Sequence, residues 1–441
     1  MWPFEYPYTN FHELNLDWIL KEISNIPSEI QQEVAKMRTT DTIKTIFDYG
    51  AKGDGFTDDT EAFENAISSG ELVFLPHGRY AVSKLRTSNQ RINFIGNNAE
   101  IIFTETTGNM WHIEHSKVLL YGLKLTSNSE TNAKLLAIFA SSVIINNCEF
   151  SGGYQGGLYI HDCAGIDVAN CSVHDVINGS GITVYSARYE GGRIVNNIIY
   201  NIGYDGIIPS QKGLLVAGNI VHDVGIGAPS DAGAGCIYTK DTGNSIHITN
   251  NTLYNAKYAG VELNTVHDNV VEGNYIFNCA VGIAIYTADN NIVNNNVIRN
   301  CGNKTDFSEI LYGLNCHSDS NNNIISSNAF VQESKHKYAA TVQGNNQCYL
   351  NIATGYTGDL PFSFGANVTY MENQQGFRLD VHKIALKSMY EGSVPFTEAT
   401  RFEKALIIPD AQSDKNNAIW SDGQNVYVCT SQGIKHTALT L

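Results

Sequence analysis

Basic residues are scarce in this chain: 28 Lys and Arg stand against 44 Asp and Glu, a formal charge of −16. Such a surface repels polyanions, which excludes nucleic acid or an anionic membrane as the main partner and disfavours a strongly anionic polymer. Long apolar runs are also missing, although 43% of the residues are hydrophobic. Nothing approaches the roughly 18 uninterrupted apolar residues of a membrane span. The opening Met1-Trp2-Pro3-Phe4-Glu5 has neither the basic start nor the apolar stretch of a secretory signal, so any exit from a cell is expected by another route. The 9 cysteines run from Cys148 to Cys429 without CxxC or Cys/His spacing, so neither a disulfide framework nor a zinc site is signalled. Free, mostly buried thiols are expected, and no metal or other cofactor is implied.

What the chain does have is repetition. From Ile145 onward one phrase recurs: an aliphatic residue, two variable residues, Asn or Cys, one variable residue, then another apolar one. The Asn/Cys position falls at Cys148, Cys171, Asn197, Asn219, Asn251, Asn274, Asn296 and Asn328, with periods of 23, 26, 22, 32, 23, 22 and 32 residues. A period of that size with short β-type alternation is one coil of a parallel β-helix. Leu120, Leu123 and Leu125 read as an earlier coil.

Coils in such a stack lie about 4.8 Å apart, so equivalent residues sit on one another and like must stack on like. Four residues beyond the Asn/Cys position come Asp175, Asn201, Asp223, Asn255, Asn278 and Asn300, a polar column suited to tight turns. One residue earlier stand His174, Tyr200, His222, Tyr254, Phe277 and Arg299, a mostly planar column. The pairs His174-Asp175 and His222-Asp223 resemble catalytic dyads in isolation, but repeat logic assigns them to these columns and to structure.

The ends lack the phrase. Leu16, Ile19, Ile23, Ile26, Ile30 and Met37 form a heptad seam, interrupted at Pro27, that reads either as a self-associating helix or as a cap over the open end of the stack. Past about Gly355 the repeat stops, and Ala405 to Leu441 reads as short strands with turns at Ser421-Asp422-Gly423 and Gln432-Gly433. The organisation expected is an N-terminal segment at 1–44, a β-helix at 45–354, and a C-terminal β cap or oligomerisation region at 355–441.

The stretch Phe47-Asp48-Tyr49-Gly50-Ala51-Lys52-Gly53-Asp54-Gly55-Phe56-Thr57-Asp58-Asp59-Thr60-Glu61-Ala62-Phe63, followed by Leu75-Pro76-His77-Gly78-Arg79-Tyr80, resembles the opening of the pectate-lyase-like superfamily. Its glycines suit a tight turn, Thr57 or Asp58 suits a helix cap, and Ala62, Phe63, Ala66 and Ile67 suit the cover of a first coil. Asp54, Asp58 and Asp59 are read as structural. Tyr6-Pro7-Tyr8-Thr9-Asn10-Phe11-His12-Glu13-Leu14-Asn15-Leu16-Asp17-Trp18 is similar to N-terminal segments of structural proteins from phages of Gram-positive bacteria. Together these resemblances imply an all-β, single-stranded, right-handed parallel β-helix of the tailspike or appendage type, homotrimeric, joined to a virion attachment protein through its N-terminal segment. They also imply a virion location, assembly in the host cytoplasm, and a host cell-surface polysaccharide as partner.

Chemistry is expected on one face. A glycine opens a strand in each coil, at Gly157, Gly181, Gly206, Gly235, Gly260, Gly282 and Gly313, and residues two and four beyond it should point outward. That strip reads Tyr159, Thr183, Ile208, Ile237, Glu262, Ala284 and Asn315 beside His161, Tyr185, Ser210, Thr239, Asn264, Tyr286 and His317. Rings interleaved with amides suit sugars, and Tyr159, His161, Tyr185, Thr239, Asn264, Tyr286 and His317 are the expected substrate contacts. Insertions at Gly225 to Ala234 and Gly302 to Leu311 would wall a groove and bring in Asp231, Asp306 and Glu309. Glycoside hydrolysis needs two carboxyl groups, and Asp205, Asp231 and Glu262 are the expected acidic cluster, Asp205 and Glu262 lying two coils or about 10 Å apart. A polysaccharide lyase using Tyr or His, and a spike that binds without cutting, remain open alternatives.

Overall fold

The computed structural model describes residues 44–371 except 106, 128–132, 140, 229–233, 303–311, 334–337 and 357–361. It also describes the backbone of three strands beyond residue 418. The heptad seam and the proposed attachment segment lie outside the described residues, as do Asp231, Asp306 and Glu309.

The chain from Lys44 to Met371 is a parallel β-solenoid of about 12 coils, each passing through three faces. One coil shows the pattern: Ser142–Asn146 on the first face, Glu149–Gly152 on the second and Gly156–His161 on the third. Each strand pairs in parallel with its equivalents in the neighbouring coils, as Ile145 does with Leu120 before it and Val168 after it. Third-face strands run from Leu85–Ser88 to Phe362–Phe364 and form one 12-stranded sheet. Parallel pairing continues beyond residue 354, with Phe362 on Ala340 and Thr369 on Gln347.

Among the described residues helix is scarce. Thr60–Ser69 forms one α-helix, which buries Ala62, Phe63, Ala66 and Ile67 over the first coils as expected. The residue at its N-cap is Asp59, and its carboxylate turns back to accept the backbone N–H groups of Lys52 and Gly53. Asp58 instead accepts the Thr60 N–H at 3.0 Å. Asp54 accepts those of Phe56 and Thr57, and these bonds hold its pKa down at about 2. All three aspartates therefore serve the turn.

The interior is built in columns. Ile182, Ile207, Ile237, Val261, Ile283 and Leu314 follow one another on successive coils and are all fully buried. The asparagines of the repeat phrase form a buried ladder. Asn274 donates its side-chain N–H to Asn296 Oδ1 at 3.0 Å and to the Ile248 carbonyl at 2.9 Å, while its Oδ1 accepts the backbone and side-chain N–H groups of Asn251. Where asparagine gives way to Cys148 and Cys171 the thiols are buried and donate to carbonyls. A second ladder, Asn269, Asn291, Asn323 and Asn346, stands five residues earlier in each coil and repeats the same bonding.

The residue before each ladder position turns the corner in the left-handed region, as Asn196, Asn250 and Asn295 do at φ 54 to 56°. Asn and Asp tolerate that conformation, which explains their recurrence. Asp175, Asn201, Asp223, Asn255, Asn278 and Asn300 do the same at the second corner. Beside them His174, Tyr200, His222, Tyr254 and Phe277 stack at centroid distances of 4.5 to 5.4 Å, within 10° of coplanar. His174 and His222 bond their adjacent aspartates inside this column, so the two dyads are structural.

A separate unit from Gln374 to Leu441 contains a three-stranded antiparallel sheet, Ile419–Ser421, Asn425–Thr430 and Gly433–Ala438. Of the expected turns, Asp422, Gly423 and Gln432 lie outside the described residues.

Candidate functional site

Register decides which third-face side chains point outward. Thr183 faces Ile208, Tyr238 faces Glu262, Glu262 faces Ala284, and Ala284 faces Asn315. The strip expected from the glycines is therefore present, with one correction. In the coil of Gly235 the column of Gly206 and Gly260 is occupied by Cys236, so the outward residues there are Tyr238 and Lys240, not Ile237 and Thr239. Thr239 is fully buried and donates its hydroxyl to the Glu262 carbonyl at 3.0 Å, so it cannot touch a ligand. The inserted loop ends in a glycine that imitates the strand-opening one. Alternation over Ile237, Tyr238, Thr239 and Lys240 carries the right signal, because a lysine cannot point into this core.

The remaining expected contacts do lie on the strip. His112, Phe139, His161 and Tyr185 stack along successive coils at 4.9 to 5.7 Å, with Tyr159 packed 5.7 Å from Phe139 and Lys134 over its ring. Phe139 and His112 extend the ring column beyond the residues singled out in the sequence. At its start a hollow of about 570 Å³ opens among Arg86, Ser88, Asn109, His112 and Glu114. Further along, Asn264 donates to Glu262 Oε1 at 3.2 Å, Tyr286 meets the Tyr258 hydroxyl, and Asn315 donates to the Tyr286 hydroxyl at 3.2 Å. His317 is exposed and paired with Asp319 at 2.7 Å.

Asp205 and Glu262, the two described carboxylates of the expected cluster, stand on either side of the Tyr238 coil, two coils or about 10 Å apart along the axis. Both are buried. Burial raises the Glu262 carboxyl to about 7; the charge of Asp205 adds to this and the Asn264 bond opposes it. Burial also raises Asp205, to about 6, against the Gly235 N–H donated to its Oδ1 at 2.9 Å and the charge of Lys240. Burial, and after it the charges of Glu262, Asp205 and Asp241, push the Tyr238 hydroxyl up to about 12. Asp205 thus has two groups that favour its anion and Glu262 has one, the Asn264 amide, and burial raises both carboxyls above the ordinary range. Glycoside hydrolysis uses two carboxyls whose environments hold their pKa values apart, one as acid and one as base. Among the described residues no group of three or more His, Cys, Asp or Glu is placed to hold a metal, and no helix is long and apolar enough to cross a membrane.

A three-faced solenoid of stacked, parallel-paired coils is a parallel β-helix. Residues 44–306 match the model of the rhamnogalacturonase A/epimerase, pectate lyase-like family, and the chain belongs to that family. It is similar to the pre-neck appendage protein of Bacillus phage phi29, 32% identical over an alignment of 148 residues that covers 29% of this chain and 16% of that protein. The resemblance to phage appendage proteins is thereby borne out, over a small part of the relative's length. Two solved structures share the fold. The mannuronan C-5 epimerase AlgE4 A-module of Azotobacter vinelandii has a TM-score of 0.55 at 15% identity, covering 75% of this chain and 97% of that one. DFA-IIIase from Arthrobacter chlorophenolicus A6 has 0.53 at 13%, covering 77% and 100%.

Proposed function

We propose that this chain is part of a phage virion appendage that binds a host cell-surface polysaccharide on the third face of its solenoid and hydrolyses it as an endoglycosidase. The observation that carries the reading is the Asp205 and Glu262 pair. Glu262 keeps its proton near neutrality and gives it to the leaving glycosidic oxygen, while Asp205, supported by Gly235 N–H and Lys240, activates the attacking water. Their axial separation of about 10 Å lies near the range of inverting enzymes, about 6.5–9.5 Å. Asp231, which lies between them in the sequence and outside the described residues, is the third carboxylate of the proposed cluster. The rings of Tyr159, His161, Tyr185 and Tyr286, with Asn264 and His317, receive the sugar faces and hydroxyl edges on either side.

The second reading is a lyase using tyrosine or histidine as base, with His161, Tyr185, Tyr286 or His317 as candidates; Tyr238 is not among them, because burial and the neighbouring carboxylates hold its proton on. The similarity to a pre-neck appendage protein supports a virion location; assembly in the host cytoplasm and residues 1–44 as the attachment segment are part of the same proposal. A homotrimer is supported by an exposed apolar column on the second face: Ile198, Ile220, Tyr275, Val297 and Ile352 are 36 to 48% exposed, with only Thr252 and Ala329 between them. Seven such coils span about 29 Å, long enough to bury a standard interface between copies.

Purified protein incubated with surface glycan from candidate hosts is expected to release oligosaccharides with new reducing ends, read by product mass. Glu262→Gln and Asp205→Asn should each lower the rate about a hundredfold or more while glycan binding persists. Undiminished release by both variants would overturn the assignment of the acid and base. Binding without release by the wild type would leave a receptor-binding spike as the function.

A further inference from the structure

The stack of rings on the third face has a beginning. His112 packs on Phe139 at 4.9 Å with the ring planes 29° apart, and His161 and Tyr185 continue the series. Rings stacked in this way cover one another's faces, so a ligand meets edges along the column and a whole face only where the column ends. In the coil before His112 the facing residue is Arg86, and among the described residues no ring stacks on His112 from that side. At this end opens the hollow of about 570 Å³, lined by Arg86, Ser88, Gly108, Asn109, His112 and Glu114.

The groups around the hollow hold one another in place. The Asn109 amide nitrogen bonds His112 Nδ1 at 3.0 Å, and His112 Nε2 bonds Glu114 Oε1 at 2.7 Å. With the amide as donor Nδ1 accepts, and the ring proton lies on Nε2, toward the carboxylate. Both ring nitrogens are engaged, which makes His112 a fixed planar surface rather than a base. Arg86 donates from Nη1 to the Asn109 carbonyl at 3.2 Å. Gly108, at φ 74°, makes the turn that delivers Asn109 to both. The His112 bond holds the Glu114 carboxyl below the usual range, and the charge of Arg86 acts in the same direction, so Glu114 is an anion at neutral pH. The two charges that line the hollow are thus one of each sign.

We propose that this hollow is a second carbohydrate site, separate from the carboxyl pair, that binds a neutral sugar ring against the open face of His112. A sugar hydroxyl both donates and accepts, and the hollow offers an acceptor-only carboxylate and a donor-only guanidinium, with the Ser88 hydroxyl able to do either. The apolar face of a pyranose covers the imidazole as one more ring of the column would. A charge on the sugar gains nothing, since Arg86 and Glu114 offset each other. The volume lies within the range of small-molecule sites. His112 stands four coils, or about 19 Å, before the coil of Asp205 on the same face. That the occupant is a distant unit of the glycan cut there rests on the function proposed above; the binding of a sugar does not.

The test is saturation-transfer difference NMR on the full-length protein with glucose, galactose, rhamnose, N-acetylglucosamine and glucuronate as probes. Transfer to at least one of the four neutral sugars is expected, with glucuronate no better than glucose. Glu114→Gln should weaken the bound sugar at least about tenfold. His112→Ala should abolish its signal, whereas His112→Phe, which keeps a ring face on the column, should retain it. Thermal midpoints equal to that of the wild type show that loss of binding is not loss of fold. Asp205→Asn with Glu262→Gln should bind as the wild type does, which keeps this outcome apart from that of the cleavage assay. Transfer to none of the neutral sugars, or transfer that His112→Ala leaves undiminished, would overturn the proposal.

Discussion

Glu262 shows how a solenoid makes an acid out of an ordinary carboxylate. Its strand position is open to the outside, yet it is only 9% exposed, because flanking coils and the Asn264 and Tyr238 side chains crowd it. Its carboxyl is raised in the folded state from 4.5 to about 7, and Asp205 from 3.8 to about 6. A carboxyl raised on folding is protonated longer in the native state than in the unfolded one, so the native state is favoured at low pH. That advantage is lost as pH climbs from about 4 through about 7. At one pKa unit per 1.36 kcal/mol, Glu262→Gln should be more stable than the wild type by about 3 kcal/mol at pH 8 and equal to it at pH 4. Thermal midpoints of both proteins at the two pH values measure this. A variant with no advantage at pH 8 would mean that Glu262 ionises as freely as an exposed carboxyl.

At the scale of the element, the unit that matters is the column rather than the strand, because most strands have only three to five residues and draw their stability from the coils above and below. The buried asparagines supply what such short strands lack. Asn274→Ala would remove four hydrogen bonds and leave the Asn251 N–H groups and the Ile248 carbonyl without their partner inside the core. A loss of about 3 kcal/mol or more is expected. Outward-facing Thr252→Ala should cost well under 1 kcal/mol by comparison. Urea midpoints separate the two, and equal midpoints would show that water replaces the ladder at no cost. Gly282 marks a different limit, since a Cβ there would come within 2.4 Å of the Gly313 carbonyl and 2.5 Å of Ile298. The glycines that open third-face strands are thus needed for close packing between coils. This also explains how Gly235 misled the face assignment: composition alone does not tell a packing glycine from the last residue of an inserted loop.

For the whole molecule, a chain of charge −16 keeps an uncharged apolar column from Ile198 to Ile352 on its second face. Copies meeting along it avoid most of their mutual repulsion. Light scattering is expected to give three times the chain mass, and Ile198→Lys with Val297→Lys should yield monomers that retain the β-type circular dichroism of the wild type. A wild-type monomer at working concentration would remove the case for a homotrimer.

The stack was legible in the sequence because its physics is repetitive: the spacing of Asn, the aliphatic residue before it and the planar column each recur, and one misplaced residue does not hide a period. Glu262 could be picked out on the outward strip and Asp205 immediately before a strand-opening glycine, and the aspartates of the opening turn could be set aside, because these readings rest on chain position. The second asparagine ladder was visible at a fixed offset of five residues from the first, and only the richness of these segments in Asn concealed it. What tertiary structure alone decided is what depends on neighbours remote in sequence. The register that puts Tyr238 and Lys240 outside and Thr239 inside is set by the adjacent coils. The raised pKa values of the carboxyl pair come from burial by several coils together. Arg86 and His112, 26 residues apart in the chain, become a facing pair only when two coils lie one strand spacing apart.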